Sequence, residues 1–239
     1  MLTLLLTRRL WLLAAAALAA CGGGGGSPGF LPVLPVPAPE PAPPPAPEPR
    51  EIVYAHYGDS LTSGGTVPRL QAHMPGTVHL DRSYGGSHAR YVIDGIEPWA
   101  SEPFAQAIQR DGADWIVLRF GGAEALAGMA PAETAADIDV LVGIALAAGK
   151  RVAVVGAFDV PLSETVTPEI RAVYLDIDQR MRALAASRGV PYIDVLGVPI
   201  AADEMHDPIH PGPAAQERVA VEIAERLAEI IKQLPEDGQ

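Results

Sequence analysis

Residues 52–65 read IVYAHYGDSLTSGG, an apolar and aromatic run that breaks at Gly58 into Asp59-Ser60 and then polar, Gly-rich sequence. The run Ile52–Tyr57 predicts a strand, and Gly58 marks where the chain leaves it. A serine just past a strand end admits three readings: a helix N-cap, a turn residue or a nucleophile. The rest of the chain weighs them.

Four further runs are strand candidates: Thr77–Leu80, Trp115–Phe120, Arg151–Ala157 and Tyr192–Leu196. Three of them (IVLRF, VAVVGA and YIDVL) are apolar enough for burial on both faces, as parallel strands require. Helical spacing lies between them. Pro131–Ala148 repeats through Ile138, Leu141, Val142 and Ala145, and Thr167–Ser187 through Ile170, Val173, Tyr174, Ile177, Met181 and Leu184. Ala214–Gln233 sets Val219, Ile223, Leu227 and Ile230 on one face, and Gly149 and Gly189 stand where helices end. Such alternation predicts an open three-layer α/β/α sandwich on a five-stranded, flavodoxin-like parallel sheet.

The first 50 residues do not share this pattern. Residues 1–20 place Arg8 and Arg9 before the apolar stretch Leu10–Ala20, too short to span a bilayer, in a signal-peptide layout. The ending Leu18-Ala19-Ala20-Cys21 resembles the lipobox of bacterial lipoproteins, which implies cleavage before Cys21 and lipid on its thiol and amino group. A plain secretory signal with a chance cysteine is the other reading. Thr7-Arg8-Arg9-Leu10 approaches a twin-arginine signal without its usual context, so the export route stays open. Cys21 is the chain's one cysteine, so no intrachain disulfide forms. Residues 21–50 are Gly-rich and then Pro-rich, and read as a tether that cannot pack a core. The folded domain is then 51–239.

The formal charge is −12, and losing Arg8 and Arg9 with the signal, which carries no acid, lowers it by 2 to −14. So acidic a chain repels phosphate backbones, which argues against nucleic acid as a partner. An aromatic content of 5% argues against a long sugar-stacking platform.

Chemistry in open α/β sheets gathers at the carboxyl ends of the strands. GDSL follows the first strand, SYGGSHAR the second and GGAEAL the third, while DPIH lies in the loop after the fifth. Ester cleavage by serine needs a hydroxyl, an imidazole, an orienting carboxylate and oxyanion donors. Asp207-Pro208-Ile209-His210 offers the carboxylate and imidazole in one turn. The Gly-x-Ser-x-Gly elbow of α/β-hydrolases fails, because Thr62 stands where its second Gly belongs.

These blocks resemble the GDSL, or SGNH, hydrolase family over most of residues 51–233. The resemblance implies that Ser60, in Gly58-Asp59-Ser60-Leu61, is the nucleophile and that its amide is an oxyanion donor. Asp207 and His210 match the family's last block. Gly86 sits where the oxyanion glycine is expected, with Gly85 as the alternative. One block departs: the family has Gly-x-Asn-Asp or Gly-x-Asn-Glu, whose Asn donates to the oxyanion, where this chain has Gly121-Gly122-Ala123-Glu124. The chain contains no Asn at all. Ser87 and His88 are the nearest side chains that could substitute, and loss of one such donor typically costs about 10²–10³ in rate.

Other readings stand beside these. Asp59 reads as a structural hydrogen-bonding residue, and Asp207 could be only a turn residue before Pro208. His206 and His210, four apart, would suit zinc on a helix, but Pro208 lies between them, and no metal or cofactor is expected. His56, His73 and His79 read as strand or surface residues. Trp99 either lines a cleft or packs under a loop, and Glu124 either ties down its own loop or shapes an acyl pocket. The expectation is a lipid-anchored serine esterase of the bacterial envelope, facing the periplasm or the exterior. It would act on short acyl or O-acetyl-carbohydrate esters through an acyl-enzyme. A non-catalytic binding protein on the same fold is the alternative, kept open by Ala123. Nothing in the sequence speaks to oligomeric state.

Overall fold

The computed structural model describes residues 50–233. The expected signal peptide 1–20, Cys21 and the tether up to residue 49 lie outside the described residues, as do 234–239. Five strands form one parallel sheet in the order β2-β1-β3-β4-β5. They are β1 (Ile52–Gly58), β2 (Thr77–Asp81), β3 (Trp115–Arg119), β4 (Arg151–Val155) and β5 (Tyr192–Ile193). All five begin where the sequence places them. Three end one or more residues early, most of all β5, because Asp194 leaves the ladder to accept from the Leu196 amide at 3.0 Å.

The three long helices also stand where periodicity predicts them: α6 (Pro131–Ala147), α7 (Pro168–Arg188) and α8 (Pro213–Lys232). Each starts on a proline, whose missing N–H costs nothing in a first turn. Five short helices carry no strong sequence signal: α1 (Ser60–Ser63), α2 (Thr66–His73), α3 (Ala89–Asp94), α4 (Phe104–Asp111) and α5 (Gly122–Leu126). Helix α2 packs on α8, while α3, α4 and α7 pack on α6. The sheet lies between, with β3 buried along its whole length.

Strand order fixes where a site can form. From β1 the chain moves outward to β2 and then returns past β1 to β3. The gap between the carboxyl ends of β1 and β3 is therefore a topological switch point, where no crossover covers the sheet edge. Ser60 follows β1 there, and Gly121–Glu124 follows β3.

Candidate active site

The turn that carries Ser60 is built around a buried carboxylate. Asp59 caps α1: its Oδ1 accepts from the Leu61 amide at 2.9 Å. Its Oδ2 reaches across to α5 and accepts from the amides of Gly122 (3.0 Å) and Ala123 (3.1 Å). One side chain thus locks the turn after β1 to the turn after β3, the structural role expected of it. Ser60 is the first residue of α1 rather than its cap, and it is half-buried. Below it, Arg119 donates to the Leu61 carbonyl at 3.1 Å and lies over the Phe158 ring, 5.1 Å from its centroid. Gly58 cannot be replaced, because a Cβ there would stand 2.3 Å from the Arg119 carbonyl.

Pairing beyond β2 delivers the second loop. The Arg82 amide donates to His56 O and the Tyr84 amide to Gly58 O, so the chain tracks β1 up to its end. Gly85 then lies against Ser60, where a Cβ would come within 3.9 Å of the serine Cβ. Gly86 follows at φ +72°, a conformation that favours glycine. The amides of Ser60, Gly85 and Gly86 take no part in the hydrogen bonds among the described residues. All three belong to the two loops that meet where Gly85 lies against Ser60.

Glu124 ties down more than its own loop. Its two oxygens accept from the amides of Gly121 and Ala89, both at 2.9 Å, joining the starts of α5 and α3. Burial, reinforced by the Asp59 charge, pushes its carboxyl up to about 7. Trp99 is half-buried beside α3. It stacks on Tyr91 at 4.4 Å and lines a cleft of about 230 Å³ with Tyr84, Arg82 and Arg110, its Nε1 within 3.7 Å of a Cβ built at Gly86.

The DPIH segment holds itself. Asp207 Oδ1 accepts from the amides of Ile209 and His210, each at 2.8 Å, while Oδ2 meets His210 Nδ1 at 2.7 Å. Burial pushes the Asp207 carboxyl up, but these hydrogen bonds outweigh it and bring it down to about 2. A carboxylate can only accept, so Nδ1 carries the proton and a neutral His210 presents a free lone pair on Nε2. The loop is closed by the His206 amide on His210 O and by a bridge between Met205 and Pro211. That loop replaces the helix that a zinc pair at His206 and His210 would need. Gln216 of α8 donates to Pro211 O at 2.9 Å and packs against Gly64, setting the loop beside α1. No hydrogen bond joins His210 to Ser60 among the described residues, and such contacts commonly tighten only with substrate.

A model of the GDSL-like lipase/acylhydrolase family matches residues 56–218, more than half of the chain. The chain belongs to that family. Among solved structures, this GDSL-family fold is similar to Est24, a carbohydrate acetylesterase from Sinorhizobium meliloti. The identity is 16%, the TM-score 0.62, and the match covers 75% of this chain and 100% of Est24. It is also similar to the esterase EstA from Pseudoalteromonas sp. (14%, TM-score 0.61, 77% and 100% covered). A third is the aryl esterase of M. smegmatis (17%, TM-score 0.59, 74% and 99% covered). No curated protein matches the chain.

Two functional-site features escaped the sequence reading. Arg119 was legible as an anomaly, a cation inside an otherwise apolar strand, and it is 4% exposed beneath the Ser60 turn. Ser163 carried no signal; its hydroxyl donates to Pro208 O at 3.1 Å from the loop after β4. The structure brings Ser60, Gly85, Gly86 and Ala123 to one edge, with the Asp207–His210 loop beside them. His56 and His79 lie elsewhere, paired to each other within the sheet, and His73 meets Glu217 on the surface.

Proposed function

We propose that this GDSL-family acylhydrolase is a serine esterase working through an acyl-enzyme, with Ser60 as nucleophile, His210 as base and Asp207 as orienting acid. The observation that carries the reading is the 2.7 Å contact of Asp207 with His210 Nδ1, in a loop set beside the serine turn. His210 Nε2 takes the Ser60 proton as Oγ bonds to the ester carbon. The carbonyl electron pair moves onto oxygen, which the amides of Ser60 and Gly86 stabilise. Collapse expels the alcohol, which receives that proton from His210, and water repeats the cycle on the acyl-enzyme. Short acyl or O-acetyl-carbohydrate esters are the favoured substrates. The carbohydrate acetylesterase among the similar folds and an envelope address support this choice. Leu18–Cys21 supports that address, with a lipid on Cys21 and the Gly/Pro-rich stretch as tether.

One experiment tests both chemistry and address. Cells expressing the full chain are treated with a serine-directed fluorophosphonate and fractionated. The parent is expected to be labelled in the membrane fraction, Ser60→Ala to be unlabelled there, and Cys21→Ser to leave the membrane. Equal labelling of Ser60→Ala overturns the nucleophile, and membrane retention of Cys21→Ser overturns the anchor. A second reading, a binding protein on this fold, is favoured by Ala123 alone and predicts an unlabelled parent.

A further inference from the structure

An alkoxide forming at Ser60 needs donors, and most of those around it are occupied. The amides of Leu61, Gly122 and Ala123 donate to Asp59, and those of Gly121 and Ala89 to Glu124. Ala123 offers no side-chain donor. The Ser87 amide donates to Tyr84 O, and the Ser87 hydroxyl is fully buried without a partner, so no substrate oxygen reaches it. The side chain that remains is His88. It follows Gly86 by two residues, sits at the cap of α3 and is half-buried rather than sealed. Its ring is held flat on Tyr91, at 4.7 Å and an interplanar angle of 11°, and Tyr91 in turn stacks on Trp99 at the cleft wall.

The next residue, Ala89, donates its amide to Glu124, whose other oxygen holds the Gly121 amide, so the start of α3 is tied to the start of α5. His88 therefore lies between the glycine loop and the start of α5, beside position 123. Burial lowers the imidazole below its ordinary range, against the pull of the Asp59 charge and the Ala123 backbone, so at neutral pH it is a neutral ring with one N–H to give.

Resting on the serine-esterase reading, we propose that His88 is a further catalytic residue, a third oxyanion donor beside the amides of Ser60 and Gly86. As Ser60 Oγ bonds to the ester carbon and its proton passes to His210, the carbonyl pair becomes an alkoxide. The His88 N–H hydrogen-bonds that oxygen, and no proton is transferred. The stack on Tyr91 fixes the ring plane, so little ordering is needed when charge develops.

The test compares the full-length parent with His88→Phe, which keeps a ring on Tyr91 but gives no N–H. The substrate is an aryl acetate, and a reversible alkylboronic acid serves as the tetrahedral mimic. The expected result is a fall in kcat of about 10² with KM nearly unchanged, and a parallel loss of boronate affinity. Ala123→Asn added to His88→Phe restores part of both, because its amide reaches the same oxygen from the neighbouring position. Should His88→Phe fail to fold, His88→Leu carries the same readouts. A kcat within about threefold of the parent overturns the proposal, as does a loss of kcat with boronate affinity intact, the mark of a merely structural ring. A parent that neither turns over ester nor takes the fluorophosphonate brings down the esterase reading first. An active parent indifferent to His88 brings down this proposal alone.

Discussion

Two aspartates flank the chemistry, and the molecule treats them in opposite ways. Asp59 is 1% exposed and accepts three backbone amides drawn from two different loops. Burial pushes its carboxyl up, against the pull of those amides and Arg119. Asp207 has a side chain 40% exposed, and its two amide donors, Ile209 and His210, belong to its own loop. Its carboxyl is brought down to about 2. The serine is thus positioned by the core of the protein, through contacts distant in sequence. His210, the proposed base, is positioned by a short loop that is nearly self-sufficient. Stability and catalysis therefore part company between the two.

Substitution of each aspartate gives the sharpest contrast. Asp207→Ala should cost on the order of 10⁴ in kcat/KM, as in other triads, while Tm moves little, because the site is exposed and the loop has other ties. Ser60→Ala and His210→Ala should match it, and the Ser60/His210 double variant should fall little further. Asp59→Ala should do the reverse first. It strands buried amides and removes a lock between two loops, a loss of about 3 kcal/mol and so roughly 6–12 °C in Tm. Thermal melts beside turnover of an aryl acetate check both halves. If Asp207→Ala melts as early as Asp59→Ala, the loop depends on the core after all.

The same division explains what the sequence revealed. DPIH was readable because its geometry is local: an Asp, a proline and a His three residues on already imply the turn that the structure shows. Strands and the three long helices were readable because burial imposes a period on them. The short helices were not. Helix α1 has four residues and α5 five, and both are held by Asp59, which belongs to neither. Helix α4 did carry a signal, with Phe104, Ala107 and Ile108 on one buried face, too brief to separate from a loop. Arg119 in IVLRF shows the limit best. The apolar run predicted the strand correctly, but which turn its cation supports depends on a crossover that no local pattern encodes.

Acid should separate the two regions again. Within the sheet, His56 Nε2 and His79 Nδ1 lie 2.8 Å apart. Burial, with the charge of His79 adding to it, lowers His56 to about 3, and burial lowers His79 to about 4. Both groups bind protons more readily unfolded, near 6.5, than folded. The stability they contribute is full above 6.5 and is lost as pH falls from there towards 4. Glu124, raised to about 7, works against this, gaining stability as pH drops through 7. Asp207 adds little within that window, since its stability is lost only as pH falls from the unfolded value near 3.9 towards the folded one of about 2. The expected outcome is a decline in Tm between pH 6.5 and 4 that is shallower in a His56→Phe/His79→Val variant. The slope against pH is the readout, not the absolute Tm. Parallel slopes would show that the histidine pair is not what acid attacks.

The smallest expected effect probes how self-sufficient the DPIH loop is. Ser163 reaches it from the loop after β4, donating to Pro208 O at 3.1 Å while accepting from the amides of Val166 (2.9 Å) and Thr165 (3.3 Å). It is the one side chain outside α8 and the loop itself that hydrogen-bonds to the Asp207–His210 backbone among the described residues. Its hydrogen bond is partly exposed, so its net contribution is about 1 kcal/mol or less. Ser163→Ala should then lower kcat a few-fold, through a less well-fixed His210, with KM and Tm almost unchanged. Rescue by Ser163→Thr, which keeps the hydroxyl, would assign the effect to that bond rather than to the volume of the side chain. A kcat identical to the parent's would mean that Asp207 alone sets the imidazole. A drop as large as that of Asp207→Ala would mean the opposite, that the loop after β4 clamps the base and that both catalytic groups are positioned from afar.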